Sequence, residues 1–293
     1  MFKKIFNLKR LNSFFSAIIV FIVMEILVFK PTLIWLASIF IVALIFFSVW
    51  RILPKSVSAR KELNNENDIL IKTIKIIKIF LIDKNYLFFI APLFLFLGSL
   101  SFLLFLRNIF FTHLLILFFT FFYFLFLEVL FFYFYSPSFL KNSETEFSSQ
   151  EQKNYFVTNI FTVINLLSLF FIYSTLFSLL YLFNFSLTKI ILLVIFISFL
   201  SNYYLFFIYK IPNKISHFYN VVITLVIIEF FWGIAFLPIN FYISSLILIS
   251  VYYAIIGMTY FHFKNDLNKI RVFRHLTISL LVIILSMATA KWA

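Results

Sequence analysis

The sequence predicts an all-α integral membrane protein: a helical bundle of about nine transmembrane helices, N-terminus in the cytoplasm and C-terminus outside. Three observations lead there. Of 293 residues, 64% are hydrophobic and only 12% charged, whereas a soluble domain carries about 25% charged residues. The chain divides into nine apolar stretches, mostly of about 20 residues, the length that crosses ~30 Å of hydrocarbon at ~1.5 Å per residue. Lys and Arg crowd into alternate gaps between those stretches, which is the positive-inside pattern and sets an orientation.

The first span, 11–29, follows a basic tail with Lys3, Lys4, Lys9 and Arg10, and Lys30-Pro31 turns it. The tail is like a signal-peptide n-region, but the apolar run is too long for an h-region and lacks a small-x-small cleavage site. It therefore reads as an uncleaved span. The second span is 32–50. The third, 86–106, ends at the Arg107-Asn108 turn, and the fourth is 109–135. The fifth, 156–183, is joined by the turn 184–186 to the sixth, 187–209. The seventh, eighth and ninth are 217–237, 240–261 and 275–290. Of the 24 Lys and Arg, twenty fall on the side of the N-terminal tail. Lys30, Arg107, Lys189 and Lys291 fall on the other. Trp35, Trp50 and Trp292 lie at expected interfaces, where an indole keeps its N–H wet.

The whole chain, 1–293, reads as one transmembrane domain with a basic cytoplasmic tail at 1–10 and a cytoplasmic loop at 51–85. The second part of that loop, about 68–84, spaces Lys72, Lys75 and Lys78 three residues apart, opposite Leu70, Ile74, Ile77 and Leu81. This pattern predicts an amphipathic helix on the membrane surface, its lysines in contact with lipid headgroups. Glu144, Glu146 and Glu151 make the 135–155 connection acidic, as expected of a solvated surface.

Composition narrows the function classes. With no cysteine, the chain has no disulfide, thiolate metal site or cysteine nucleophile. With three glycines it has no glycine-rich phosphate loop. The four histidines have no metal-ligand spacing, although His262 and Asp266 would share a face if helical. No metal and no cofactor is expected. The net charge of +13 is accounted for by basic loops facing anionic lipid headgroups on the cytoplasmic side, not by nucleic acid.

Three carboxylates interrupt the spans: Glu25, Glu128 and Glu229. An ionisable group in the bilayer is costly and marks a polar path or a specific contact. Counting from the span midpoints, Glu25 and Glu229 lie roughly 4–7 Å toward the outside and Glu128 roughly 9 Å toward the cytoplasm. Two readings stand: an interior path in which they carry protons, or isolated groups that bond a neighbouring polar side chain and serve packing. No Lys or Arg inside a span is deep enough to pair with them, since Lys189 and Arg107 reach the outer surface.

The nine-span arrangement resembles that of the intramembrane aromatic prenyltransferases, whose sites lie in the cytoplasmic loops after the second and sixth spans. Here those loops are 51–85 and 210–216. The family binds magnesium and diphosphate through two Asp-rich motifs. This chain offers Asn64-x-x-x-Asp68, then Lys72 where a second Asp belongs, and Tyr209-Lys210-Ile211-Pro212-Asn213-Lys214 without Asp. The resemblance implies the architecture and not the metal-dependent reaction. Three functions follow from the residues: a non-catalytic subunit of a membrane complex, which the lack of any catalytic motif favours; a permease or transporter using Glu25, Glu128 and Glu229; or a lipid-handling membrane enzyme. Other membrane subunits and the lipid of a bacterial-type cytoplasmic membrane are the expected partners.

Overall fold

The structure is a computed structural model that describes residues 2–53, 85–106, 108–135 and 147–290. Among them it has nine α-helices and no strand: α1 (Phe2–Phe29), α2 (Ile34–Ile52), α3 (Ile90–Leu103), α4 (Ile109–Tyr135), α5 (Phe147–Phe183), α6 (Leu187–Ile208), α7 (Asn213–Ala235), α8 (Phe241–Phe263) and α9 (Lys269–Ala288). Nine helices among the described residues are long and apolar enough to cross a membrane, α3 together with the 3-10 turn Asn85–Phe89 that leads into it. The expected surface helix at 68–84, with Lys72, Lys75 and Lys78, lies outside the described residues, as does Trp292.

Three helices reach further than their apolar cores. The first runs back through the basic tail to Phe2, and α5 begins at Phe147, within the expected acidic connection. The ninth begins at Lys269 instead of His275, because the Asn268 side chain accepts a hydrogen bond from the Arg271 N–H at 2.9 Å and caps it there. At the other end of the same connection, α8 stops with Asn265 at φ 52°. The Asp266 N–H then reaches back to the Phe261 carbonyl at 3.0 Å, a left-handed helix cap that asparagine tolerates well.

The 210–216 loop expected from the prenyltransferase resemblance is a cap and a helix start. Lys210 takes φ 57°, the Ile211 N–H donates to the Phe206 carbonyl at 3.0 Å, and α7 begins at Asn213. Only residues 209–212 lie between the two helices.

The chain divides into two compact units, Met1–Leu93 with Ile116–Ile160, and Phe94–Leu115 with Phe161–Ala293. In the first, α1 and α2 form an antiparallel pair. The second helix buries one stripe, Ala37, Ile41, Ile45, Val49 and Ile52, and the first buries Ser13, Ser16, Ala17, Val20, Met24 and Leu27. These spacings of three and four residues keep each stripe on one helical face. Tyr123 of α4 joins them through Ser16, whose hydroxyl lies 3.0 Å from the Tyr123 OH and 2.8 Å from Ser48 Oγ.

In the second unit, α6 packs on α7, α7 on α8, and α8 on α9. The most buried of these is α8, with twelve buried residues between Ser244 and Phe261. The ninth helix is inverted relative to a soluble one. Its covered face is polar, with His275, Ser279 and Ser286, and Leu280, Leu281, Ile284 and Leu285 are exposed. Lipid explains the inversion. Where the solvent is as apolar as leucine, polar groups gain by turning inward to partners such as the Ser250 carbonyl, which accepts from Ser279 Oγ at 2.7 Å.

Two glycines set helix spacing in this unit. A Cβ on Gly98 would stand 2.9 Å from Phe171 Cβ and 3.1 Å from the Ile172 backbone nitrogen, so α3 meets α5 backbone to backbone. A Cβ on Gly257 would stand 2.6 Å from Nδ1 of His275. The His275 ring occupies the notch that Gly257 leaves between Tyr253 and Phe261 of α8, with ring centroids 5.1 and 5.6 Å away.

Candidate functional site

The three carboxylates singled out from the sequence have three different surroundings. Glu128 is paired. Its Oε2 accepts from Arg10 Nε at 2.9 Å, while its Oε1 is buried without a hydrogen-bond partner among the described residues. This corrects the expectation that no cation is deep enough to reach it. Arg10 stands at the head of the first span, on a helix that continues through the tail. Its long side chain reaches across to α4, as arginine stems do along apolar surface. The contact joins α1 to α4 through a charge-assisted hydrogen bond.

Glu25 is half-buried on α1. Glu229 is exposed on α7. Glu25 and Glu128 belong to the first unit and Glu229 to the second, and within its own unit Glu229 does not turn inward. Glu229 instead sits in the middle of an exposed apolar stripe, Phe218, Val222, Leu225, Trp232 and Phe236. Together the six positions alternate spacings of four and three, the 3.5-residue repeat of a helix–helix seam. One turn beyond Glu229 is Gly233, where a Cβ would meet nothing within 4 Å. Among the described residues no hydrogen bond or ion pair reaches the Glu229 carboxyl.

The interior of the second unit is polar in a way the carboxylates did not signal. Asn165 Nδ2 on α5 donates to Ser201 Oγ on α6 at 2.7 Å, and Ser201 Oγ lies 3.1 Å from the Tyr252 hydroxyl on α8. Tyr252 donates to Asn202 Oδ1 at 2.7 Å, and Asn202 Nδ2 donates to Thr224 Oγ1 on α7 at 3.2 Å. Thr224 donates onward to Asn220 Oδ1 at 3.4 Å, and Asn220 Nδ2 to the Phe199 carbonyl at 3.1 Å. One hydrogen-bonded chain thus ties four helices. Beside it Tyr173 bonds Ser198 at 2.8 Å and Ser174 bonds Ser245 at 2.5 Å. These groups meet one another directly, with no gap for a water or solute between donor and acceptor. The signal in the sequence was the pair of amides, Asn165 and Asn202, inside otherwise apolar spans. A search for ionisable groups passes over them.

The histidines stand apart. His217 stacks on Tyr203 at 5.9 Å, and His262 Nε2 lies 3.3 Å from the Tyr219 hydroxyl. Asp266 pairs with Arg271, not His262, and Arg271 also donates to the Asp266 carbonyl at 2.8 Å. Its guanidinium and that of Arg274 lie over the Phe261 ring at 4.6 and 6.0 Å. The cations of this connection thus settle on aromatic faces and backbone. Both ring nitrogens of His275 are buried without a hydrogen-bond partner, and no group of three metal-binding side chains occurs among the described residues.

A separate pocket of about 210 Å³ opens between α1 and α2 in the first unit, lined by Asn12, Ser13, Ser16, Ser48 and Arg51 and by the apolar Phe15, Ile19, Leu44, Phe47 and Ile52.

Residues 149–289, from α5 to α9, match a family described as a protein of unknown function, DUF5656. That stretch holds Glu229, Gly233 and the whole Asn165–Asn220 hydrogen-bond chain. No curated protein and no solved structure matches the chain.

Proposed function

We propose that the protein is a non-catalytic subunit of a complex in a bacterial-type cytoplasmic membrane, and that the outer face of α7 is where a partner transmembrane helix docks. The observation that carries this reading is Glu229. A carboxyl group left on a lipid-facing stripe, roughly 6 Å from the middle of its span, costs a few kcal/mol. A partner that supplies a donor removes the cost. The seam spacing and the open notch at Gly233 suit a second helix at close range. The interior polar groups, bonded to one another, serve to hold helices together, which suits a scaffold. A two-fold contact of α7 with a second copy would put carboxyl against carboxyl, since Phe218, Val222, Leu225, Trp232 and Phe236 bring no cation. Charge complementarity therefore favours a different chain with a basic or amide side chain in its span.

The division of Lys and Arg supports a cytoplasmic N-terminus and an external C-terminus. A reporter fused after Ala293 should read as external, and one within 54–67 as cytoplasmic.

The docking test uses a photo-crosslinking residue at Leu225 or Trp232, in native membranes, with buried Ile227 as control. A discrete adduct from the two outer positions is expected, lost in Glu229→Leu. The captured chain must carry Lys, Arg, Asn or Gln within a span, and changing that residue to Leu must lose the adduct too. No adduct, or only a symmetric self-adduct, would overturn the reading.

A further inference from the structure

The pocket between α1 and α2 sets a cation and polar groups against an apolar wall. Its polar lining is rich in donors and contains no carboxylate: the Arg51 guanidinium, the Asn12 amide, and the hydroxyls of Ser13, Ser16 and Ser48. Asn12 Nδ2 is buried without a hydrogen-bond partner. Among the described residues no carboxylate pairs with Arg51, which rests 5.9 Å from the centre of the Phe47 ring. Ser16 and Ser48 are already bonded to each other, but Asn12 Nδ2 is an unsatisfied donor in the same pocket as the Arg51 cation, and that pair suits an anion. The remaining walls, Phe15, Ile19, Leu44 and Phe47, are apolar, and all but Leu44 are exposed to lipid. A volume of about 210 Å³ holds roughly seven waters at ~30 Å³ each, enough for a headgroup and not for a whole lipid.

We infer that this pocket binds the phosphate of an anionic phospholipid, with Arg51 and Asn12 on the phosphate oxygens, the serine hydroxyls beside them, and the first part of an acyl chain along Ile19 and Phe47. Asn12 lies near the start of the first span and Arg51 near the end of the second, so both stand at the same end of the helix pair, where headgroups lie. The site is independent of the α7 face and of the subunit reading.

The test is native mass spectrometry of the full chain released from vesicles of phosphatidylglycerol mixed with phosphatidylcholine. Retention of phosphatidylglycerol over phosphatidylcholine is expected, reduced about fivefold in Arg51→Gln, as one cation near the headgroups is worth about that factor. Arg51→Lys should keep part of it. Ile19→Trp, which fills the pocket without touching charge, should also lose the retained lipid. Lys189→Gln, an exposed cation of the second unit, should not. Excess inorganic phosphate distinguishes the sources: lipid retained in its presence assigns the site to phospholipid, and displacement by phosphate assigns it to the free ion and overturns the lipid. Equal retention of both lipids, or Arg51→Gln and Ile19→Trp behaving like the parent, would overturn the site.

Discussion

At the α8–α9 contact and on the outer face of α7 the chain places the same two kinds of residue, a titratable side chain and a glycine, in opposite settings. On α8 the glycine is covered: His275 lies so close over Gly257 that a Cβ would stand 2.6 Å from its ring. On α7 Glu229 and Gly233 are one turn apart, and nothing lies within 4 Å of a Cβ at the glycine. In a membrane a glycine earns its place where another surface approaches closely, because there is no hydrophobic effect to drive helices together and packing must do it. At Gly257 that surface is visible within the chain. At Gly233 no described residue supplies it. On the proposed reading, the α7 face is the counterpart of the α8–α9 contact, with the second helix supplied by a partner.

The largest effect should come from Glu229→Leu. In the isolated protein it should stabilise the fold by roughly 2–3 kcal/mol, since a lipid-facing carboxyl is replaced by an apolar group. Reversible unfolding in detergent or bicelles measures it. A clear loss of stability would mean that Glu229 is already satisfied within the chain, and the contrast with α8–α9 would fail.

The two glycines should respond with opposite signs. Gly257→Ala forces a methyl into the His275 ring and should cost about 1–3 kcal/mol, the usual penalty of overpacking. Gly233→Ala meets nothing and should gain up to about 1 kcal/mol in the isolated chain from helix propensity alone. In the assembled complex the Gly233→Ala gain should disappear and the crosslink from Leu225 weaken. The same gain in both states would show that the notch is not an interface.

The nine helices were legible because a span is written in length and charge, both carried by local sequence. Helix ends were less so. The Asn268 cap and the left-handed Asn265 determine where α9 starts and α8 stops, and a hydropathy window averages over such single residues. At the candidate sites the sequence pointed to Glu128 and Glu229 but not to their opposite surroundings. Which side of α7 faces out depends on how α6 and α8 pack against it. Whether Glu128 is paired depends on a helix continuing through a charged tail far from it in sequence. The polar chain of the second unit escaped because serine, asparagine and tyrosine are individually cheap to bury and acquire meaning only when four helices bring them together.

A smaller effect than that of Gly257→Ala tests that chain directly. Tyr252 joins α8 to α6 by donating to Asn202 Oδ1 at 2.7 Å and meeting Ser201 at 3.1 Å, with its ring fully buried. Phenylalanine keeps the ring and its packing but leaves Asn202 Oδ1 without its donor. In water such an orphaned acceptor costs about 1–3 kcal/mol. Within membranes the measured value of an interhelical hydrogen bond averages about 0.6 kcal/mol and reaches ~1.7, because the separated helices also find partners. Tyr252→Phe should therefore cost about 0.6–1.7 kcal/mol, less than Gly257→Ala. In combination with Asn202→Leu the loss should be less than additive, because the second change removes the orphan. Full additivity in a double-mutant cycle would mean the two groups are not coupled, and the Tyr252–Asn202 link would contribute nothing to holding α8 against α6.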